Sequence, residues 1–321
     1  MMQAPSQQTE LRAFFLVGPT AAGKTAVAHR IAEEHGFDIL SADSMQVYRG
    51  MDIGTAKPTA GERGCVRYQG LDLVSLEEPF SVGDYRAAAL QAVRAADAVH
   101  RRVIVTGGTG LYIKSLTDGL AARPPRDTAI RSRAECLLAE QGIAALQEWL
   151  TRLDPARAHS LADPQNPRRL IRAIELAESG EVFADKTWMA ARTGPRIPGL
   201  MLPLEKLYAS IETRVHTMYA GGLIEEVQGL LDQGLATAPT AAQAIGYAEA
   251  IAYLNGRFTR EEAIAKTILR TRRLAKRQLT WLRHQANVEW LMIDTNMPVA
   301  DRARKVLDHW QVHGPTPIVG S

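Results

Sequence analysis

The run Gly18-Pro19-Thr20-Ala21-Ala22-Gly23-Lys24-Thr25 fits GxxxxGK[ST] at every fixed position. Its chemistry is anion binding. The glycines let backbone N–H groups converge on an oxyanion, Lys24 adds a full charge, and the Thr25 hydroxyl can ligate Mg2+. Such a loop specifies a polyphosphate without saying which one. Asp43 opens a second candidate, Asp43-Ser44-Met45-Gln46. A carboxylate there can be a general base, a metal ligand or a loop cap; as a base it must come within about 3 Å of the proton it takes. Asp52 is its rival, further along in an expected loop. Thr109, in Gly107-Gly108-Thr109, offers its hydroxyl either to a ligand or as the N-cap of a helix. No carboxylate follows the strand before that turn. This argues against a motor-type ATPase and leaves a small-molecule kinase or a diphosphate-displacing transferase.

Elements must position these groups. RAFFLV at 12–17 reads as a buried strand running into the phosphate loop. A helix follows from Lys24 to about Glu34, with Ala26, Val27, Ala28, Ile31 and Ala32 as its apolar face. Phe37–Ala42 and Val103–Thr106 read as strands, the latter preceded by a helix over 83–100. In an open α/β sheet the carboxyl ends of strands line the ligand crevice, so Asp43 and the Gly-Gly-Thr turn belong there. Residues 120–196 are helix-like with no convincing strand; they include 137–150, 167–178 and a breaker cluster at 193–198. Beyond them come a possible strand over 199–202, a helix over 204–233, a helical run over 259–285 and a strand over 288–293. The expected fold class is α/β with a mainly parallel sheet, a core of residues 1–119 and 197–321 interrupted by a helical insertion at 120–196. The closing GPTPIVGS reads as frayed.

The 321 residues are 46% hydrophobic and 23% charged, enough for a core and against global disorder. No apolar run reaches about 18 residues, and the N-terminus lacks an apolar h-region, so a cytoplasmic protein is expected. Cys65 and Cys136 lie far apart, which excludes a disulfide framework or a CxxC zinc site. The eight histidines, His29 and His35 among them, read as surface or packing residues without metal-ligand spacing. Net charge is +3, but residues 257–283 hold nine Lys or Arg against Glu261 and Glu262, a local +7 that leaves the remainder at −4. Such a stripe is either a solvated helix face or a docking surface for a polyanion. Ile264, Ile268, Thr271, Ala275, Leu279 and Leu282 share one face of that run, and Trp281 reads as core rather than a base-stacking platform. No heptad seam is visible, so a monomer is expected.

Several blocks together resemble the tRNA dimethylallyltransferase (tRNA isopentenyltransferase) family: GPTAAGKT, SADSMQVYRGMDIGTAKP, TGGTGLYIKSLTDGL, NPRRLIRAIE, QAIGYAEAI and RRLAKRQLTWLRH. They keep family order from residue 13 to about 293. The resemblance implies a P-loop nucleoside-triphosphatase-like core with a helical insertion. It implies transfer of a dimethylallyl group from dimethylallyl diphosphate to the N6 amine of the adenosine 3′-adjacent to the anticodon (position 37), in tRNAs reading codons that start with U. It implies Mg2+ as cofactor and the tRNA anticodon stem-loop as partner, with no membrane.

By the same resemblance, the phosphate loop and Arg214 hold the diphosphate, and Thr25 helps bind Mg2+. Asp43 takes the amine proton. Asp43, Ser44, Met45 and Gln46 meet the flipped adenine, and Thr109 contacts the reacting nucleotide. Arg131 in the insertion, the segment Arg168, Arg169, Leu170, Ile171 and Arg172, and the segment Gln243, Ala244, Ile245, Gly246, Tyr247 and Ala248 contact tRNA. Ala248 stands where the family often has Lys or Arg, and Ser210 where Arg is frequent. The zinc-finger extension of eukaryotic members is absent, as in a bacterial-type enzyme. The alternatives are an adenylate isopentenyltransferase acting on free nucleotide, a P-loop metabolite kinase, and a non-catalytic RNA-binding protein with a relic phosphate loop.

Overall fold

The computed structural model describes residues 10–120, 127–180 and 194–319. The chain divides into two compact units, residues 1–120 with 191–321, and residues 121–190. The larger unit begins β1 (Arg12–Val17), α1 (Lys24–His35), β2 (Asp38–Ala42), α2 (Ala60–Cys65), β3 (Tyr68–Gln69), α3 (Val82–Asp97), β4 (Val103–Gly107) and α4 (Gly110–Thr117). The smaller unit supplies α5 (Thr128–Gln141), α6 (Ile143–Leu153), α7 (Pro155–Ser160) and α8 (Pro167–Glu178). The larger resumes with β5 (Ile197–Met201), α9 (Leu204–Ala220), α10 (Leu223–Leu231), α11 (Tyr247–Leu254), α12 (Arg260–Gln285), β6 (Val288–Met292), α13 (Val299–His313) and β7 (Thr316–Pro317).

Six strands form a parallel sheet in the order β3-β2-β4-β1-β5-β6, and β7 adds antiparallel to β1. β2 and β4 are buried throughout, and β1 from Ala13 onward. Strands covered by helices on both faces need such continuous apolar runs, which is why RAFFLV and VIVT were legible without alternation. The register decides the site. Val17 of β1 and Ala42 of β2 both pair with Gly107 of β4, so three strands end level. The phosphate loop, Asp43 and the Gly-Gly-Thr turn each follow one of those ends.

Two expectations change. The helix expected over 204–233 is two helices, broken at Gly221-Gly222; Gly222, at φ 100°, turns the chain through a left-handed conformation. The apolar period runs on through the break, so periodicity alone did not reveal it. The chain end is not frayed at Thr316–Ile318: β7 pairs with β1, the Ile318 amide donates to Leu11 O at 2.8 Å, and Ile318 is buried. Gly320 and Ser321, like Thr193 of the breaker cluster, lie outside the described residues.

The smaller unit packs Ala134, Leu146, Leu150, Leu170, Ile171, Ala173 and Ile174 into its own core. No strand occurs among its described residues. α8 starts on Asn166, whose side chain accepts from the Arg168 and Arg169 amides, with Pro167 in the first helical turn.

Candidate active site

The phosphate loop is held from two sides. Gly18 has φ 147°, and a Cβ there would sit 2.7 Å from the Leu200 carbonyl of β5, so only glycine lets the strands approach. From α12, Gln278 Oε1 accepts a hydrogen bond from the Thr20 amide at 2.8 Å. Lys24 opens α1, is buried, and donates to Pro19 O at 2.7 Å. Burial and the adjacent Arg214 push its ammonium down to about 7, while Asp43 pulls it back up. Arg214 is also lowered by burial and supported by Asp43. Its Nη2 reaches Thr55 O at 3.4 Å. Two desolvated cations thus face one carboxylate, and the surplus positive charge favours an anion.

Asp43 is half-buried. Its Oδ1 accepts from the Met45 amide at 2.9 Å, so the loop-cap reading holds for that oxygen. Its Oδ2 takes no hydrogen bond among the described residues and remains competent as a base. Thr109 occupies the N-cap position of α4, but its side chain does not cap that helix. Its Oγ1 instead accepts from the Ser44 amide at 3.1 Å. Gln46 braces the loop after β2: Oε1 accepts from Ser41 Oγ at 2.7 Å, and Nε2 donates to Thr55 O and Ala56 O at 3.1 and 3.3 Å. Met45 packs against the core. The rival Asp52 pairs with buried Lys57 at 2.8 Å, and Lys57 also binds Asp72 at 2.6 Å, so Asp52 serves the loop's structure.

Residues 46–285 match the family model described as IPP transferase. The chain belongs to the IPP transferase family. A "tRNA dimethylallyltransferase" of Corynebacterium jeikeium is 40% identical over 302 residues, covering 93% of this chain and 96% of that one. A crystal structure of a tRNA isopentenylpyrophosphate transferase from Bacillus halodurans is 34% identical with a TM-score of 0.69, covering 95% and 97%. A eukaryotic dimethylallyltransferase acting on tRNA shares the fold at 20% identity and a TM-score of 0.71, covering 96% of this chain and 81% of that one.

In this IPP transferase-family chain the other expected contact residues divide into exposed and structural ones. Tyr247 is fully buried; its hydroxyl donates to Glu226 Oε1 at 2.5 Å. Glu226 Oε2 accepts from the Asp52 and Ile53 amides at 3.1 and 2.7 Å. Ala244 and Gly246 are buried, Ile245 and Ala248 half-buried, and Gln243 exposed. Gln243 O accepts from Arg270 Nη2 at 2.9 Å, and the same guanidinium pairs with buried Glu249. In the smaller unit, Arg131 and Arg172 flank buried Glu175, each at 2.8 Å. Leu170 and Ile171 belong to that unit's core, whereas Arg168 and Arg169 are exposed on the first turn of α8.

The basic stripe divides the same way. Arg260 donates to Tyr219 O at 2.9 Å, Arg272 pairs with Glu212 at 3.0 Å, and Lys266 lies 4.7 Å over the Phe258 ring. Arg273, Lys276 and Arg277 remain exposed. Trp281 packs against the core over Gly110, as the core reading expects, and Tyr112 stacks on Tyr85 at 3.8 Å.

Sequence reasoning missed Gln278, Glu226 and Arg302. Arg302 of α13 lies 3.1 Å from where a Cβ would stand at Gly23 and donates to Met297 O and Thr295 O at 2.8 and 2.7 Å. Gln278 had a signal, a polar residue on the buried face between Ala275 and Leu282. Glu226 and Arg302 had none, being single charges on ordinary amphipathic helices.

Proposed function

We propose that the chain transfers a dimethylallyl group from dimethylallyl diphosphate to N6 of the adenosine 3′-adjacent to the anticodon (position 37), in tRNAs reading codons that start with U, and releases diphosphate. The observation that carries this reading is one carboxylate with an uncommitted oxygen beside buried Lys24 and half-buried Arg214, at the level ends of β1, β2 and β4. The names of the similar proteins point the same way.

In this reading the allylic C–O bond breaks and the N6–C bond forms. The electron pair of the broken bond leaves on the diphosphate. Phosphate-loop amides, Lys24 and Arg214 stabilise that developing charge. The amine is weakly nucleophilic because its lone pair is delocalised, so its proton passes to Asp43 Oδ2 during attack. Thr109 and Ser44 hold the Asp43 turn. The adenine must leave its stack to reach them, and exposed Arg168, Arg169, Arg273, Lys276 and Arg277 would pair with phosphates of the anticodon stem-loop.

The exposed Thr25 hydroxyl at the start of α1 offers one protein oxygen beside the phosphate loop. One hydroxyl completed by substrate phosphates and water suits Mg2+, which keeps several waters. Mg2+ held there would neutralise charge on the diphosphate.

Purified protein, Mg2+, dimethylallyl diphosphate and unmodified tRNA should yield prenylated adenosine on digestion and mass spectrometry. Parallel reactions use AMP as acceptor, ATP as donor, and the Asp43→Ala protein. Product on AMP alone would indicate a free-nucleotide enzyme. Phosphoryl transfer from ATP would indicate a kinase. No product with any acceptor would remove the case for this chemistry.

A further inference from the structure

Two of the eight histidines, His309 and His313 of α13, have a spacing that can ligate a metal. His309 and His313 are four residues apart and share one face of that helix. Glu289 meets them from the edge strand β6. Its Oε2 lies 3.5 Å from His309 Nδ1 and 3.6 Å from His313 Nε2. One ligand atom from each residue falls within 4.8 Å of the other two. Ligand atoms of a tetrahedral zinc site with bonds near 2.0–2.1 Å stand about 3.3 Å apart. Both His–Glu distances are within a few tenths of an ångström of that.

His309 supplies an independent observation. Its side chain is 3% exposed, and its polar neighbours, the Arg196 main chain and Glu289 Oε2 at 3.5 Å, leave neither ring nitrogen a well-formed hydrogen bond among the described residues. A buried polar atom left so is costly, and a metal–nitrogen bond would satisfy it. Arg196 Nη1 also approaches Glu289 Oε2 at 3.5 Å. That guanidinium is exposed and can move to the other carboxylate oxygen or to water.

We propose that Glu289, His309 and His313 bind one divalent transition-metal ion, zinc by preference. Two imidazoles and a carboxylate suit zinc, whereas Mg2+ prefers an all-oxygen shell. Glu289 and His313 are partly exposed, at 41% and 31%, so water completes the coordination. β5 separates β6 from β1. His309 and His313 lie seven and eleven residues beyond Arg302 on α13, roughly 10–16 Å along the helix. The ion therefore stands apart from the phosphate loop and clamps α13 to the edge strand.

The test uses full-length, tag-free protein, stripped with chelator, in excess Mg2+. Cys65 and Cys136 are exposed and would be alkylated first, because thiols take zinc. One equivalent of Co2+ should give the visible bands of a four-coordinate ion, and one equivalent of Zn2+ should bleach them and raise Tm. His313→Ala and Glu289→Gln, both at partly exposed positions, should weaken binding at least tenfold and abolish the Tm gain. Absence of a saturable Co2+ signal at one equivalent, or equal binding by His313→Ala, would overturn the proposal.

Discussion

Thr109 grips the Asp43 peptide from both sides. Its Oγ1 accepts from the Ser44 amide, and its own amide donates to Ala42 O, both at 3.1 Å. The turn after β4 thereby sets where the turn after β2 points its carboxylate. Thr109→Val keeps the shape and removes the acceptor. It should lower kcat for tRNA prenylation about tenfold or more, cost about 1 kcal/mol in denaturant unfolding, and leave dimethylallyl diphosphate affinity nearly unchanged. Thr109→Ser should retain most of the rate. Equal loss in both variants would separate the hydroxyl from the effect.

Asp43→Asn preserves an acceptor for the Met45 amide but cannot take a proton. Its kcat should fall about 10²–10⁴-fold with tRNA binding intact. Single-turnover kinetics with a filter-binding control would read both; a rate within threefold of the parent enzyme would exclude Asp43 as the base.

Lys24 makes diphosphate binding sensitive to pH. Its ammonium, ordinarily at 10.5, is held near 7 by burial and Arg214. Between those values the unfolded chain carries the proton and the folded one does not, so this residue's destabilisation fades as pH rises from 7 to 10.5. A bound diphosphate favours the charged form and draws the proton back. Calorimetry with dimethylallyl diphosphate at pH 8, in two buffers of different ionisation enthalpy, should show uptake of about one proton, and affinity should fall above pH 7. Lys24→Met should take up none. The same result for parent and variant would assign the proton elsewhere.

Glu226 fastens the loop that carries Thr55 O to Gln46 and Arg214. Glu226→Ala strands the Asp52 and Ile53 amides and the Tyr247 hydroxyl. A loss of about 2 kcal/mol is expected, a fall in Tm of roughly 4–8 °C. Tyr247→Phe should cost less, since it removes a single donor. Calorimetric melting of both variants compares them directly.

Arg168 and Arg169 should behave differently from Arg131 and Arg172. Charge reversal at the exposed pair should weaken tRNA binding and reduce its log–log salt slope by about one per lost phosphate contact. Removing Arg131 or Arg172 leaves Glu175 with one partner in a 2%-exposed position, so destabilisation of the helical unit should dominate. Binding titrations across salt, paired with urea melts, separate the two behaviours.

Local chemistry made much of this legible. GxxxxGKT between a strand and a helix requires no distant partner to be recognised, and buried parallel strands announce themselves as unbroken apolar runs. Capping of α12 by Thr259 and Glu262 is likewise written in adjacent residues. What escaped depended on which buried atom a long side chain would find. Glu226 looks like an ordinary helix-surface residue until the loop at 52–53 arrives beside it, and Gln278, a polar residue on a buried face, has no evident partner until Thr20 does.

The division follows from the range of the forces involved. Backbone conformation, anion-binding amides and apolar periodicity are local, so the sequence by itself determined the phosphate loop, the strands around it and the acidic and Gly-Gly-Thr turns. Desolvation, charge pairing and ligand geometry depend on groups far apart in the chain. Only the tertiary structure therefore decided that Lys24 is buried beside Arg214, that Thr109 holds Asp43 rather than capping α4, and that Glu289 meets His309 and His313.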